Sequence, residues 1–414
     1  MAPGIVLAAA GLPFAAAGIY LLVLALASFR RVPPDRLVAP AARLAVLVPA
    51  HDEEELVGRC VASLRAQTYP ASGCRIVVIA DNCADRTAEV ARGAGAEVLE
   101  RRDDRRGKGH ALRWAMDRLL AGTEPPDAVV VVDADSVAEP ELLVHLAAAL
   151  ARGAGAAQAE YLVLDDDAST RSRLVAAAFL LFHRVRLGGR AALGLPASLV
   201  GNGMLFSRQL LERHPWNAFT GVEDIEYTIE LRLAGVRPRF VPAARLVGPV
   251  PHGYRGMRGQ RLRWEGGRWH VVRTRLPQLL GHALRRDPGV LDAALDLAVP
   301  PLGLLVIGTL AGGAVTAAAV ALHVATAWSS SPWLLAVAAL TAFVLLGLRS
   351  AEAPASLWLA LLESPRFVAW KALTYSAMVV GFDPHRWERS ERSAGAVRTG
   401  IPPTPTLPRE GGRS

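Results

Sequence analysis

Two kinds of apolar run divide the chain. The long ones lie toward its ends. Residues 4–29 (GIVLAAAGLPFAAAGIYLLVLALASF) carry no charge and are long enough to span a bilayer core of ~30 Å. Residues 297–324 make a second run of spanning length, and 333–348 a shorter third. The short runs lie between: LAVLVP at 44–49, RIVVIA at 75–80 and AVVVVD at 128–133. Each is strand-length, β-branched, and closed by a turn or acidic residue, with helix-like stretches separating them. This alternation predicts βαβ units and a mostly parallel sheet, hence an α/β fold. Strands that are apolar throughout predict a sheet covered on both faces.

The flanks of the long runs set an expected topology. Arg30-Arg31 follow the first run directly and no basic segment precedes it, the pattern of a membrane anchor rather than a cleaved leader. Positive-inside logic puts residue 30 onward in the cytoplasm. The connection ATAWSSSP at 325–332 has no Lys or Arg and is expected outside, and Arg349, Arg366, Lys371, Arg386 and Arg389 return the C-terminal segment to the cytoplasm. Residues 355–380 mix Trp358, Trp370 and Tyr375 with Arg366 and Lys371, which predicts an interfacial helix; Arg171, Arg173 and Arg184 around AAAFLLF predict another. The expected organisation is an anchor at 1–30, a cytosolic domain at 40–275, two spans within 290–350, an interfacial and cytosolic segment at 351–392, and a disordered tail rich in Pro, Gly, Arg and Thr at 393–414. The whole is a multi-pass protein of the cell inner membrane.

Composition sharpens this. Hydrophobic residues make up 52% and charged residues 20%, more apolar than an ordinary soluble enzyme. The formal charge of +8 raises nucleic acid as a partner, yet the arginines flank apolar stretches and no nucleic-acid-binding module is present. Anionic lipid is the expected partner of that charge. Cys60, Cys74 and Cys83 match no zinc spacing and are expected to be reduced. His51, His110 and His252 lack ligand spacing with one another and are expected to be structural.

In a parallel α/β sheet, ligands bind beyond the carboxyl ends of the strands. Here those ends read Pro49-Ala50-His51-Asp52-Glu53-Glu54, Asp81-Asn82-Cys83-Ala84-Asp85 and Asp133-Ala134-Asp135-Ser136. Helix capping alone explains some of these, Asp85 above all. Asp133-x-Asp135 differs: two carboxylates so close repel unless a cation or hydrogen bonds offset them. A divalent ion held by carboxylate and substrate phosphate is the natural partner.

VPAHDEE at 48–54, IADNCADRT at 79–87, GKGHAL at 107–112, VDADS at 132–136, GNGMLFSR at 201–208, VEDIEYTIEL at 222–231 and QRLRW at 260–264 occur in that order. In these blocks the sequence resembles a family 2 glycosyltransferase, over roughly residues 44–270. The flanking runs resemble those of membrane-bound members that make polysaccharides or glycolipids. The resemblance implies a GT-A fold, Rossmann-like with a mixed, mostly parallel sheet. It also implies an inverting transfer from a nucleotide sugar, with UDP the expected nucleotide, aided by Mg²⁺ or Mn²⁺. By position, Pro49, Ala50 and Glu53 would lie against the nucleotide and Asp81 against its base. Lys108 would approach the diphosphate, Asp133 the ribose or diphosphate, and Asp135 the metal. Asp224, beside Glu223, would be the catalytic base. Gln260, Arg263 and Trp264 would support the diphosphate and the acceptor channel. Val222 stands where the family commonly has a hydroxyl residue. The expected acceptor is a growing glycan, with a membrane lipid as the alternative.

Overall fold

A computed structural model describes residues 2–37, 41–164, 169–249, 254–285, 287–369 and 371–372, with the backbone alone for 2, 164, 254–265 and 288. The apolar runs become strands because their residues have two covered faces to fill. In β1 (Leu44–Ala50), Leu44, Val46 and Val48 pack on one side, and Ala45 and Leu47 on the other. β2 (Cys74–Asp81) and β4 (Ala128–Val131) divide their residues the same way. The first face is covered by the helices Val57–Arg65 and Leu142–Ala151, through Val57, Val61, Leu64, Leu142 and Leu146. The second is covered by Lys108–Leu120 and Glu223–Leu233, through Leu112, Met116, Tyr227 and Leu231.

The remaining strands are β3 (Glu97–Arg101), β5 (Val137–Ala138), β6 (Ala156–Leu164), β7 (Met204–Ser207) and β8 (Arg239–Pro249). All eight form one sheet in the order β3-β2-β1-β4-β7-β6-β8-β5. Strands β3 to β4 pair in parallel, β7 runs antiparallel to both neighbours, and β6 pairs with β8 in parallel across a bulge at Ala159/Glu160. The chain runs outward from β1 to β2 and β3, then crosses back to β4. A crevice therefore opens at the carboxyl ends of β1 and β4, the point where such sheets bind ligands. The mixed, mostly parallel sheet agrees with the expected fold class.

Among the described residues, three helices are long and apolar enough to cross a membrane: Pro3–Ala27, Leu302–Ala321 and Ala327–Ser350. The third exceeds the shorter run anticipated at 333–348, because Ala327–Ser330 and the polar residues after Leu348 join it. The first lies along the third through Gly4, Gly11 and Gly18, one heptad apart, where a Cβ would meet Thr326, Trp333 and Ala339 at 3.4, 3.0 and 3.1 Å. Small residues at that spacing let two backbones approach. Trp333 Nε1 also donates to Leu7 O at 3.0 Å.

The segment with Arg171, Arg173 and Arg184 forms the helix Thr170–Phe179 and a π-helical stretch, Leu180–Arg186. This is the segment anticipated as an amphipathic interfacial helix, and its apolar face packs inward. Leu180, Leu181 and Val185 join the core of the apolar helices, while Arg184 pairs with buried Glu160 at 2.6 Å. A guanidinium can lie at such a boundary only with a carboxylate to compensate it. After the third long helix come a short helix, Ala355–Ala360, and helical residues 364–369. Trp370, Tyr375 and the anticipated tail lie outside the described residues.

Candidate active site

The strand end after β4, the start of the helix Lys108–Leu120, the loop before β7 and the start of the helix Glu223–Leu233 converge at the crevice. Lys108 links them. Its Nζ donates to Asp133 Oδ1 at 2.5 Å and to Gly201 O at 2.6 Å, and lies 3.7 Å from Glu223 Oε1. Gly201, at φ 80°, takes a conformation that disfavours side chains, and a Cβ there would stand 3.4 Å from Asp224 Oδ2. Gly109 packs so closely on the backbone of Ala218 that a Cβ would be 2.1 Å from its carbonyl oxygen.

A buried amide scaffolds the acidic turn. Asn202 is fully buried; its Oδ1 accepts from the Asp133 N–H at 3.1 Å and its Nδ2 donates to Ser136 Oγ at 2.8 Å. Ser136 Oγ in turn donates to Asp135 Oδ1 at 3.2 Å. Gln158 holds the Asn202 carbonyl at 2.7 Å and accepts from Val200 N–H at 3.0 Å. Asn202 lies inside a block quoted from the sequence, yet nothing in the local pattern assigned it work. Its partners stand 66 and 69 residues away.

Pro49 and Ala50 close β1, with Ala50 buried, and the loop after them meets the loop after β2. Glu53 N–H donates to Thr87 Oγ1 at 2.7 Å, and His51 Nδ1 sits 2.7 Å from Asp81 O. Asp85 accepts from Thr87 N–H at 2.9 Å and from Glu54 N–H at 3.1 Å, the capping role that its position suggested. Asp52, Cys83 and Asp85 place ligand-type atoms within 4.8 Å of one another, but Asp52 also accepts from Ala84 N–H at 2.7 Å, so their carboxylates clasp the two loops. The Asp81 carboxylate is engaged by buried Arg101 at 2.5 Å. Arg101 was lost to sequence reasoning inside the charged run RRDDRR, which looks solvated.

The electrostatics single out the acid pair. Burial raises the pKa of Asp224 to about 7, and Glu223 adds to the rise while Lys108 opposes it. Burial also raises the Glu223 carboxyl, against the pull of Lys108. Burial works against the Lys108 ammonium, yet Asp133 and Glu223 outweigh it and hold that pKa above the usual value. His110, stacked on Phe219 at 4.4 Å, is lowered by burial and by Arg101, which favours a neutral ring. The set around Asp133 and Asp135 offers carboxylate, hydroxyl and carbonyl oxygens, which are the donors that Mg²⁺ and Mn²⁺ prefer. Gln260, Arg263 and Trp264 fall on the helix Tyr254–Arg285, but their side chains lie outside the described residues.

The sheet thus carries a basic–acidic crevice at its switch point, the place where open α/β sheets bind ligands. Residues 40–267 match the model of glycosyltransferase like family 2, and the chain belongs to that family. It is 26% identical over 244 residues to a probable glycosyltransferase, YdaM, of Bacillus subtilis (strain 168), covering 57% of each chain. It is 27% identical over 208 residues to the beta-monoglucosyldiacylglycerol synthase of Synechocystis sp., covering 48% of this chain and 42% of that one. The matches thus span about half the length of these curated relatives. Among solved structures, mannosyltransferase PcManGT from Pyrobaculum calidifontis in complex with GDP-Man and Mn²⁺ aligns at 21% identity with a TM-score of 0.46, covering 81% of this chain and 98% of that one. The free cysteines Cys60, Cys74 and Cys83 agree with a reduced state.

Proposed function

We propose that the chain moves a sugar, with inversion, from a nucleotide-sugar donor to an acceptor hydroxyl at the cytoplasmic face of a membrane, with UDP as the nucleotide. The observation that carries this is the carboxyl of Asp224, raised to about 7 and set within the Lys108–Asp133–Gly201 cluster. A base with its pKa near the working pH is the effective partner for a weakly acidic hydroxyl. Asp224 accepts the acceptor's proton as its oxygen attacks the anomeric carbon. The bond from that carbon to the diphosphate oxygen breaks, and the nucleoside diphosphate leaves with the electron pair. Glu223 keeps Asp224 basic, and Lys108 moves its charge from Asp133 to the departing diphosphate. Asp135, braced by Ser136, would hold Mg²⁺ or Mn²⁺, which would supply further neutralisation of the diphosphate, with Asp133 beside the ribose or diphosphate. Pro49, Ala50, Glu53 and Asp81 would serve the nucleotide, and Gln260, Arg263 and Trp264, by their place on the helix Tyr254–Arg285, would serve the diphosphate and the acceptor.

A growing glycan is the proposed acceptor. A membrane lipid is the second reading, favoured by the long apolar helices beside the domain and by the glycolipid synthase among the relatives. Purified full-length protein, incubated with labelled UDP-glucose or UDP-N-acetylglucosamine, Mn²⁺ and membrane extract, separates the two. A ladder of products supports the glycan and a single organic-soluble product the lipid. Absence of transfer from either donor, or full transfer in excess EDTA, would overturn the donor or metal assignment respectively.

A further inference from the structure

The helix Tyr254–Arg285 carries positions 260, 264 and 268 at steps of four, so they share one face. Two adjacent residues fix that helix. Gly267 abuts Val222, where a Cβ would lie 3.1 Å from a Val222 methyl carbon, immediately before the Glu223-Asp224 pair. Arg268 reaches a second element. One of its terminal nitrogens donates to Asp296 O at 3.3 Å, Leu297 O at 2.8 Å and Val299 O at 2.7 Å. These carbonyls end the helix Leu291–Ala298, three residues before the apolar helix Leu302–Ala321 begins. Carbonyls at a helix C-terminus lack intrahelical donors, and a cation is their natural complement. Burial pulls the Arg268 pKa down to about 10, with Arg186 adding to the fall and Asp296 and Asp224 opposing it, so the guanidinium lies in the field of the proposed base.

We propose that Arg268 is a positioning residue for transfer: it locks the helix bearing Gln260, Arg263 and Trp264 in register between the Glu223-Asp224 pair and the start of the second apolar helix. This rests on the transferase reading above. Arg268 touches no reacting atom; it acts by setting where the acceptor-side helix stands. A lysine ammonium has three N–H groups and can serve the same three carbonyls, whereas methionine cannot.

The test compares wild type, Arg268→Met and Arg268→Lys as full-length protein in nanodiscs. Hydrogen exchange of amides 258–267 is expected to quicken by about tenfold in Arg268→Met and to stay near wild type in Arg268→Lys. Transfer from the donor that wild type uses is expected to lose about 100-fold in kcat in Arg268→Met, with UDP–Mn²⁺ affinity within about twofold of wild type and Arg268→Lys largely restored. Unchanged exchange in Arg268→Met, equal loss in both variants, or UDP affinity falling in step with kcat would each overturn the proposal. Should wild type transfer nothing, the transferase reading fails, and the exchange measurement still decides whether Arg268 fixes the helix.

Discussion

At the scale of single residues, Asp224 and Lys108 make opposed predictions. Asp224→Asn keeps the shape of the site and removes the base, so kcat for transfer should fall by about 10³-fold while UDP–Mn²⁺ binding, followed by calorimetry, persists. The wild-type rate should drop as pH falls below about 7, where the raised Asp224 carboxyl takes up its proton. The sign for stability runs the other way. A carboxyl whose folded pKa lies above its ordinary 3.8 favours the folded state at low pH, and that contribution fades as pH rises through about 7. Lys108→Met removes the cation that holds Asp224 down, so the acid limb of the pH–rate profile should move above 7 as kcat falls. A limb that stays in place would show that Lys108 does not act on the base.

At the scale of elements, glycine contacts decide where helices start. Gly109→Ala would put a methyl 2.1 Å from the Ala218 carbonyl oxygen, forcing the helix Lys108–Leu120 outward. Both thermal midpoint and transfer should fall, and Gly107→Ala, with open space around it, offers the comparison for backbone strain alone at φ 115°. The strands β1, β2 and β4 were visible in the sequence because they are apolar on both faces, a property of adjacent residues. Strands β6 and β8 were not, because Gln158, Glu160 and Arg245 interrupt their apolar pattern, and those residues are justified only by partners elsewhere. The same division runs through the site. Asp133, Asp135, Glu223 and Asp224 stood out as clustered acids at element ends. Arg101 and Asn202 did not, since each earns notice only once distant segments meet.

At the scale of the molecule, a buried ionic cluster ties the helix Glu223–Leu233 to the apolar helices. Asp296 accepts from Arg186 Nε at 2.9 Å, Tyr20 Oη at 3.1 Å and Ser198 Oγ at 2.6 Å, and Arg190 spans Tyr20 and Asp292. Asp292 in turn pairs at 3.0 Å with Arg232, on the helix that begins with Glu223 and Asp224. Arg186 and Arg190 hold the Asp296 carboxyl below the usual carboxylate range against the cost of burial. Asp296→Leu should therefore destabilise the fold by about 3–5 kcal/mol, because it leaves the buried Arg186 guanidinium without its carboxylate, while Arg190 keeps Asp292. Chemical denaturation in detergent checks this, and a loss under about 1 kcal/mol would mean that the cluster contributes little to stability.

Tyr20 gives that cluster a temporal side. Chains fold broadly from the N-terminus as they are made. Yet the hydroxyl of Tyr20 binds Asp296, and the helix around it lies along Ala327–Ser350, which leaves the ribosome hundreds of residues later. The first helix must then wait for the last before the frame closes. During synthesis the sheet can form early, while the helix Glu223–Leu233 stays unsecured until Asp292 and Asp296 appear. A nascent chain arrested near residue 280 should hold its sheet but not its acid pair, so activity should appear only after the segment around Asp292 and Asp296 has joined the fold.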